Sequence, residues 1–346
     1  MSEALSALQQ QIEKVLSEQS GGEVKVKELR PLGGGACQDN YRVELSFAQG
    51  ALKGDRRMVL RSDARASLPG SLGRRQEFEV VCAAASAGVK TAQARWLTQS
   101  LVREGAWAYF LDWVDGEAIG RRVVRNPELS DAREKLPEAL AQVLARIHSV
   151  TPENAPQLLK LGASHVYPEG GNPSAFMVRE LERQLDAMPE PHPAIELALA
   201  WLEENAPSPV PLTLTHGDFR TGNFMVRPEG LQAVLDWEFA HFGDPMEDLG
   251  WLCVRDWRFG QNALPVGGFA RREALYQAYE KATGKPVDPK RVHYWEVAGN
   301  VRWAAGSVYQ GERYLSGQET DLELVAIARR AVEMEYEALR LIEQGV

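Results

Sequence analysis

The sequence predicts an α+β fold in two parts, with strands gathered near the N-terminus and helices in the remainder. Before about residue 111, short apolar segments are bounded by polar and glycine-rich turns, which is typical of strands. After about residue 117, apolar residues recur at helical spacing over long stretches. Strands and helices that are separated along the chain favour an α+β fold over a doubly wound parallel sheet. The 346 residues suffice for two lobes, each burying its own core.

The N-terminal part, residues 1–111, is predicted to combine two helices with five strands. The first helix ends at Gly21 and Gly22, and the second runs from about residue 74 to 87, before Gly88. The first helix is indicated by one apolar stripe at helical spacing, formed by Leu5, Leu8, Ile12, Val15 and Leu16. The strands are predicted at residues 24–32, 41–47, 58–61, 95–97 and 107–111.

Residues 112–116 are predicted to form a hinge, and residues 117–346 a helical lobe. A compact stretch of strand, loop and strand at residues 211–237 interrupts the helices. One helix is indicated by a buried stripe of Leu136, Leu140, Val143, Leu144 and Ile147. Further helices are predicted at residues 174–187, 194–204, 246–257, 269–283, 289–315 and 319–343.

Composition and charge exclude several classes of protein. With 44% hydrophobic and 25% charged residues the composition is that of an ordinary globular protein. The formal net charge of −9 argues against a nucleic-acid or anionic-membrane partner, and is explained by solubility or by a cationic substrate. No apolar run is long enough to cross a bilayer, and the N-terminus lacks a secretory signal. Cys37, Cys82 and Cys253 form no CxxC pair, so a reduced, cytoplasmic setting is expected.

The strongest chemical signal is a pair of polar motifs between apolar strand segments. The first is Thr-His-Gly-Asp-Phe-Arg-Thr-Gly-Asn at residues 215–223, and the second is Leu-Asp-Trp-Glu at residues 235–238. Asp218, Asn223 and Asp236 therefore lie at strand ends or in a tight loop, where a scaffold holds side chains rigidly. The spacing from Asp218 to Asn223 equals that in the kinase pattern H-R-D-x-x-x-x-N.

These residue types suit transfer of a phosphoryl group from ATP to a hydroxyl. Such a reaction needs a carboxylate to orient the hydroxyl and accept its proton, and hard oxygen ligands for Mg²⁺. Asp218 supplies the carboxylate, while Asn223 and Asp236 supply oxygen ligands. Each residue alone is more simply interpreted as part of a turn or a loop cap. All three together, at this spacing, favour catalysis and metal binding.

The chain resembles the aminoglycoside phosphotransferase family, which is related to choline and homoserine kinases. It is similar in particular to the branch found beside, or fused to, acyl-CoA dehydrogenases. The resemblance is carried by residues 144–149, 215–223, 234–238 and 243–252 and covers nearly the whole chain in order. It implies a bilobal, protein-kinase-like fold, ATP and Mg²⁺ as cofactors, and a small-molecule acceptor with a hydroxyl group. It also implies that His216 supports the catalytic loop and that Asp248 anchors it.

Two features indicate where the N-terminal lobe would hold the nucleotide phosphates. Gly33, Gly34 and Gly35 lie between two strands and can close their backbone over phosphates, although an ordinary turn explains them equally well. In the strand at 58–61, alternation places Val59 and Arg61 on one face, with Val59 towards adenine and Arg61 at the position of the usual lysine. Arginine binds phosphate bidentately but differs in geometry from lysine.

The remaining nucleotide contacts rest on position. The helix after the strand at 58–61 must supply a glutamate partner for Arg61, and the family pattern favours Glu77 over Glu79. Backbone groups of the hinge, at Asp112, Trp113 and Val114, are expected to face adenine.

Other functions stay open at this point. The arginine at position 61 and the glutamate in place of the Asp-Phe-Gly glycine favour a non-catalytic nucleotide-binding pseudokinase, whereas Asp218, Asn223 and Asp236 argue against one. A metal-dependent phosphohydrolase would need paired histidine ligands, which the six histidines do not show. For the acceptor, the sequence shows no acidic run that would meet an aminoglycoside. Aromatic, glycine and arginine residues along 289–315 suggest a groove for a hydroxyacyl compound such as a hydroxyacyl-CoA, or simply a core helix.

Overall fold

The computed structural model describes residues 3–32, 39–63, 70–160 and 171–346. Gly33, Gly34 and Gly35, predicted to close over phosphates, lie outside the described residues. The chain divides into two compact units, Met1–Asp115 with Ala233–Phe239, and Gly116–Gln232 with Ala240–Val346. Strands dominate the first unit and helices the second, which confirms the predicted α+β class.

The first unit is built on a five-stranded antiparallel sheet with one helix packed on its first strand. The strands follow the order β1-β2-β3-β5-β4, so β3 is hydrogen-bonded on both sides. Ile12 and Leu16 of the first helix are fully buried in one core with Leu45, Leu60 and Phe110 of the sheet. The elements are α1 (Glu3–Ser20), β1 (Val24–Pro31), β2 (Asp39–Phe47), β3 (Gly54–Ser62), α2 (Arg74–Ser86), β4 (Ala94–Gln99) and β5 (Trp107–Asp112).

A short segment far along the sequence completes the first unit. The Val234 amide donates to the Lys90 carbonyl at 2.8 Å, and the Leu72 amide donates to the Glu238 carbonyl at 2.6 Å. These bonds assign residues 233–239, including Asp236, to the first unit, whereas the sequence-based division leaves them in the part after residue 117. Periodicity carries no information on such a long-range pairing, because it reports only local structure.

The second unit is mainly helical, with short strands that frame a loop. β6 pairs with β9, and β7 pairs with β8 in a tight hairpin. The elements are α3 (Gly120–Arg125), α4 (Ser130–Ile147), α5 (Pro173–Asp186), α6 (Pro193–Glu204), β6 (Thr213–Thr215), β7 (Phe224–Arg227), β8 (Gly230–Val234), β9 (His241–Gly243), α7 (Met246–Leu252), α8 (Arg272–Thr283), α9 (Pro289–Leu315), α10 (Leu322–Ala328) and α11 (Ala331–Gln344). Among the helices that the structure describes, none is long and apolar enough to cross a bilayer.

Two predicted helices are shorter than expected. The helix predicted at 246–257 ends at Leu252, because the Arg258 guanidinium binds the Cys253 carbonyl, at 2.7 and 3.0 Å, where the helical ladder would continue. The segment predicted as one helix at 319–343 is two helices, α10 and α11, separated by a turn at Arg329 and Arg330. Arg330 there pairs with Asp256 and Glu333, which ties the turn to the 3₁₀ turn at Arg255–Arg258.

Candidate active site

The loop that carries Asp218 starts at the end of β6 and is fixed through its backbone. Both the His216 and Gly217 amides donate to the Asp248 carboxylate, at 2.8 and 3.0 Å. Asp248 is fully buried on α7 and also contacts His148 at 3.2 Å. Burial alone would raise the pKa of Asp248, but His148 and the His216 amide outweigh burial and lower it. Asp248 therefore stays ionised and anchors the loop, as predicted.

His216 supports the loop from within. Its Nδ1 accepts a hydrogen bond from the Asp218 amide at 3.2 Å, and its ring is completely buried against Phe219. A nitrogen that accepts from an amide carries no proton, so the tautomer with hydrogen on Nε2 is present when the ring is neutral. This arrangement agrees with the supporting role that the sequence indicated.

The Asp218 carboxylate is held by donors from three side chains. The Trp251 indole donates to Oδ1 at 2.8 Å, and the Asn223 amide nitrogen donates to Oδ2 at 2.7 Å. Arg220 Nε lies 3.0 Å from Oδ1 and 3.2 Å from Oδ2. Only 7% of Asp218 is exposed, so the carboxylate is fixed in a partly dry environment. Charge-assisted hydrogen bonds of this kind fix the position of the carboxylate.

Asn223 lies directly beside Asp218. Its amide nitrogen donates to the Asp218 backbone carbonyl at 3.0 Å as well as to the carboxylate. The preceding Gly222 has a φ of 115°, a conformation that L side chains rarely adopt, and this turns the chain back so that Asn223 faces Asp218. The amide oxygen takes no part in these bonds and has the chemistry of a ligand for a hard cation.

Trp257, on the 3₁₀ turn after α7, packs against both Trp251 and Arg220, which contact the Asp218 carboxylate. Trp251 and Trp257 lie with ring centroids 5.6 Å apart, and the Arg220 guanidinium lies over the Trp257 ring at 4.3 Å. Stacking on Trp257 fixes the guanidinium that pairs with Asp218. Sequence reasoning missed Trp251, Trp257 and Arg220, although Arg220 lies inside the motif at residues 215–223.

In the first unit, the predicted partner of Arg61 is present. Arg61 is on the doubly paired strand β3 and donates to the Glu77 carboxylate of α2 at 2.7 and 3.3 Å. The same guanidinium donates to Asp236 Oδ1 at 2.9 Å. Arg61 and Glu77 are both buried, and Val59 lies two residues before Arg61 on the same strand. Three predicted side chains, Arg61, Glu77 and Asp236, thus meet in one cluster.

A second ion pair extends this cluster. Arg74, at the start of α2, pairs with Glu77 and contacts Glu238 at 3.4 Å. Burial would raise the pKa of Glu77, but Arg61 and Arg74 outweigh burial and lower it. For Glu238, burial and the neighbouring Asp236 raise the pKa to about 7, although Arg74 opposes this. Glu238 stands where the kinase pattern has glycine, and its pairing with Arg74 gives the substitution a structural reason.

Asp236 has an uncommon backbone conformation. Its φ is 66°, in the left-handed region that non-glycine residues rarely occupy. The flanking residues hold it there, since the Trp237 indole donates to Thr91 Oγ1 at 3.1 Å and the Glu238 carbonyl accepts from Leu72. Strained backbone that is fixed from both sides is common at functional positions.

The predicted hinge already uses part of its backbone within the first unit. The Asp112 amide donates to the Gln93 carbonyl at 3.0 Å, and the Trp113 amide donates to the Arg57 carbonyl at 3.1 Å. Of the three residues expected to face adenine, Val114 is the one whose amide donates to no backbone carbonyl of the described residues. The Asp112 carboxylate is paired with Arg95 at 2.7 and 2.8 Å.

The predicted site residues therefore fall into two groups, one in each unit. Arg61, Glu77 and Asp236 form the first cluster, and Asp218 with Asn223 forms the second. Over the described residues, no group of three or more His, Cys, Asp or Glu side chains is arranged to hold a metal ion by itself.

Helix α9, along which the sequence suggested an acyl groove, packs against the loop and the core of the second unit. Trp295 is 2% exposed, and its indole donates to Asp244 at 2.9 Å. Arg302 donates to the Gly217 carbonyl at 3.1 Å, and Arg313 pairs with Glu319 at 3.0 Å. These contacts make α9 a core helix that buttresses the loop, which was the simpler of the two interpretations.

The sequence model of the phosphotransferase enzyme family, abbreviated APH, matches residues 28–284. The match covers most of the strand-rich unit and both polar motifs. The chain belongs to this family, a class of small-molecule phosphotransferases.

Among curated proteins, the chain is similar to acyl-CoA dehydrogenase family members. It is 28% identical over 256 residues to member 10 from Mus musculus, covering 72% of this chain and 22% of that protein. It is 29% identical over 286 residues to member 11 from Rattus norvegicus, covering 78% of this chain and 35% of that protein. The chain thus spans only about a fifth to a third of the length of these relatives.

Solved structures share the fold. A protein from Ralstonia eutropha JMP134, provisionally assigned as an aminoglycoside phosphotransferase, superposes with a TM-score of 0.73 at 21% identity, covering 97% of this chain and 98% of that chain. A choline kinase from Streptococcus pneumoniae has a TM-score of 0.60 at 16% identity, covering 95% and 99%. A spectinomycin phosphotransferase in complex with ADP and spectinomycin has a TM-score of 0.56 at 13% identity, covering 95% and 98%. The fold is therefore the protein-kinase-like fold of these enzymes.

Proposed function

We propose that this chain transfers the γ-phosphoryl group of ATP to a hydroxyl group of a small molecule. The observation that carries the proposal is the Asp218 carboxylate, held by Asn223, Arg220 and Trp251 at the end of β6. A carboxylate fixed in this way can orient a hydroxyl and accept its proton while the oxygen attacks phosphorus. The bond from the γ-phosphorus to the bridging oxygen of ATP breaks, and ADP leaves.

The residues present fit a role for Mg²⁺. Asn223 has an amide oxygen outside its bonds to Asp218, and Asp236 supplies a carboxylate, the two ligand types that a hard cation prefers. We assign these two residues as its ligands. When bound, Mg²⁺ neutralises charge on the nucleotide phosphates. Asp218 is assigned to the hydroxyl rather than to the metal.

Nucleotide binding falls to the first unit in this proposal. Arg61, held by Glu77 through two hydrogen bonds, is assigned to the ATP phosphates. Gly33, Gly34, Gly35 and Val59 keep their sequence-based assignments around the nucleotide. For adenine we favour the Val114 amide and hinge carbonyls, because the Asp112 and Trp113 amides already donate to backbone carbonyls.

The acceptor that we favour is a hydroxyacyl compound such as a hydroxyacyl-CoA. Support comes from the relatives, whose names denote acyl-CoA dehydrogenases and in which a chain of this kind is one part of a longer protein. A reduced cytosolic setting is proposed with it, and agrees with the free thiols of Cys82 and Cys253.

One observation favours a second candidate, an aminoglycoside or other antibiotic kinase. A cavity of about 480 Å³ in the second unit lies between α5 and α6. Its lining includes five acidic side chains from residues 182–203, namely Glu182, Asp186, Glu190, Glu196 and Glu203. The carboxylates come from α5, α6 and the turn between them rather than from one acidic run, and together they suit a polycation.

The test is a transfer screen with radiolabelled ATP over four classes of acceptor: hydroxyacyl-CoAs, aminoglycosides, choline-like alcohols and sugars. Label on a hydroxyacyl compound, lost in Asp218→Asn, is the expected result. Label on an aminoglycoside would favour the second candidate. If ATP binds but no acceptor is labelled, the chain is a nucleotide-binding pseudokinase and the proposal is wrong.

A further inference from the structure

We propose that Trp251 is a positioning residue for Asp218, and that Arg302 holds Trp251 in place. The inference rests on the proposed function, because it gives Asp218 its part in the reaction. Trp251 is on α7, one turn after the loop anchor Asp248. Its indole nitrogen donates to Asp218 Oδ1 at 2.8 Å, in an environment where only 7% of either residue is exposed.

The bond distinguishes the two oxygens of the carboxylate. Oδ1 accepts from the Trp251 indole, whereas Oδ2 accepts from the Asn223 amide. Arg220 approaches both oxygens at similar distances and therefore does not by itself fix the rotation of the carboxylate. The indole N–H can only donate, so Trp251 cannot take the proton of an acceptor. Its contribution is to hold the plane of the base.

The Trp251 ring lies in a slot formed by close packing of α7 against α9. A Cβ at Gly250 would lie 2.7 Å from the Glu296 backbone nitrogen, so glycine is what lets the two helices approach this closely. A Cβ at Gly299 would lie 3.2 Å from the Trp251 ring and 2.6 Å from Val254. Gly250 thus allows the close approach of the helices and Gly299 leaves room for the indole, and this packing fixes the direction of the indole N–H.

Arg302 of α9 covers the Trp251 ring and joins it to the loop. Its guanidinium lies 4.8 Å from the ring centroid and donates to the Gly217 carbonyl at 3.1 Å. It also pairs with Glu247 at 3.6 Å, and Glu247 contacts His241 of β9 at 3.0 Å. One guanidinium thus holds the backbone just before Asp218 and the ring that bonds to Asp218. Loss of either contact would let the base rotate.

The first experiment compares Trp251→Phe with wild type on the acceptor found in the transfer screen. The variant keeps an aromatic ring but lacks the N–H, so we expect kcat to fall about ten- to a hundredfold while the KM for ATP stays unchanged. Trp201→Phe is the matched control, because Trp201 lies on α6 against His293 and Tyr294. We expect this control variant to have the kcat of wild type. Arg302→Met should lower kcat similarly, and Arg302→Lys should restore part of it. Melting curves check that each variant is folded.

The second experiment measures the bond without any acceptor. In protein labelled with ¹⁵N-tryptophan, the indole signal that disappears in Trp251→Phe belongs to Trp251. We expect that signal to move upfield in Asp218→Ala, because the carboxylate acceptor is lost. An unmoved signal, or a Trp251→Phe variant with wild-type kcat, overturns the inference. A wild-type protein that labels no acceptor refutes the proposed function instead, and the indole signal then tests the bond by itself.

Discussion

Arg61 and Glu77 form a buried ion pair in which one guanidinium serves two carboxylates. Arg61 reaches Glu77 at 2.7 and 3.3 Å and Asp236 at 2.9 Å. Burial opposes the charged form of Arg61, but Glu77, Asp236 and the nearby Tyr109 outweigh burial and raise its pKa well above the ordinary value. The planar fork of a guanidinium suits this bridging, whereas lysine offers a single nitrogen at the end of a flexible stem. The arginine at the usual lysine position therefore has a geometric reason.

The first prediction follows from this bridge. Arg61→Lys should fold and keep partial activity, with a raised KM for ATP, because one ammonium cannot reproduce all three contacts. Arg61→Ala should lose about 3–5 kcal/mol of stability, since it leaves Glu77 as a buried carboxylate with one partner fewer. Urea titration and steady-state kinetics measure the two effects.

Arg56→Ala is the matched control for Arg61, because Arg56 lies on the same strand but is exposed and binds the nearby backbone carbonyls of Asp55 and Lys53. Its stability and KM should stay within about 0.5 kcal/mol and twofold of wild type. An Arg61→Ala protein with unchanged KM for ATP and unchanged turnover would show that Arg61 does not bind the nucleotide.

Much of the architecture was predictable because its signals are local. The apolar stripe of the first helix predicts α1, which the structure has at Glu3–Ser20, and the helix predicted at 289–315 is α9, Pro289–Leu315. The short helix α3, Gly120–Arg125, was not predicted, since six residues are too few to show a period. The joining of residues 233–239 to the first unit depends on hydrogen bonds to Leu72 and Lys90, which lie more than 140 residues away in sequence.

The candidate site was predictable where a motif fixes the spacing. Asp218 and Asn223 are five residues apart in one loop, and the contact between them follows from that loop. Trp251 and Arg302 come to the same loop from two other helices, so only tertiary packing brings them together. The pairing of Arg74 with Glu238 is of the same kind, because the two residues are 164 positions apart in the sequence.

The second prediction concerns acid stability. Burial alone would raise the pKa of Glu337 on α11, but Arg340 and Arg258 outweigh burial and lower it from 4.5 to about 2. A lowered carboxyl pKa stabilises the fold above the unfolded value, and that contribution is lost as the pH falls from about 4.5 towards 2. Glu337→Gln should therefore be less stable than wild type at pH 7, and the difference should shrink as the pH approaches 3. Urea titrations at several pH values measure this.

Glu343→Gln, a change on the exposed surface of the same helix, should leave the pH dependence of unfolding as it is in wild type. A Glu337→Gln protein that follows the wild-type curve from pH 7 to 3 would contradict the role given to the arginines. Arginines that form ion pairs with Glu337 are Arg255, Arg258 and Arg340.

The third prediction tests the assignment of Asp236 to the metal. Asp236→Asn keeps the size of the side chain but removes the charge that we assign to the metal. We expect affinity for MgATP to fall at least tenfold, about the loss seen when even an outer partner of a ligand is removed. Affinity for ATP without Mg²⁺ should change little. Calorimetric titration with and without Mg²⁺ separates the two, and equal losses in both would argue that Asp236 only positions Arg61.

The last prediction separates the roles of Asp218 and Asn223, which touch each other at 2.7 Å. Asp218→Asn should bind MgATP as wild type does while kcat falls by roughly 10²–10⁴-fold, the usual contribution of a general base. Asn223→Ala should raise the Mg²⁺ concentration needed for half-maximal activity, but more mildly than Asp236→Asn, because a neutral ligand is lost and water can replace it. Calorimetry gives the affinity of each variant for MgATP, and turnover with the identified acceptor gives its kcat. Both are measured on the same folded preparations. An Asp218→Asn protein that no longer binds MgATP, beside an Asp236→Asn protein that binds it normally, would mean that the base and the metal ligand have been assigned the wrong way round.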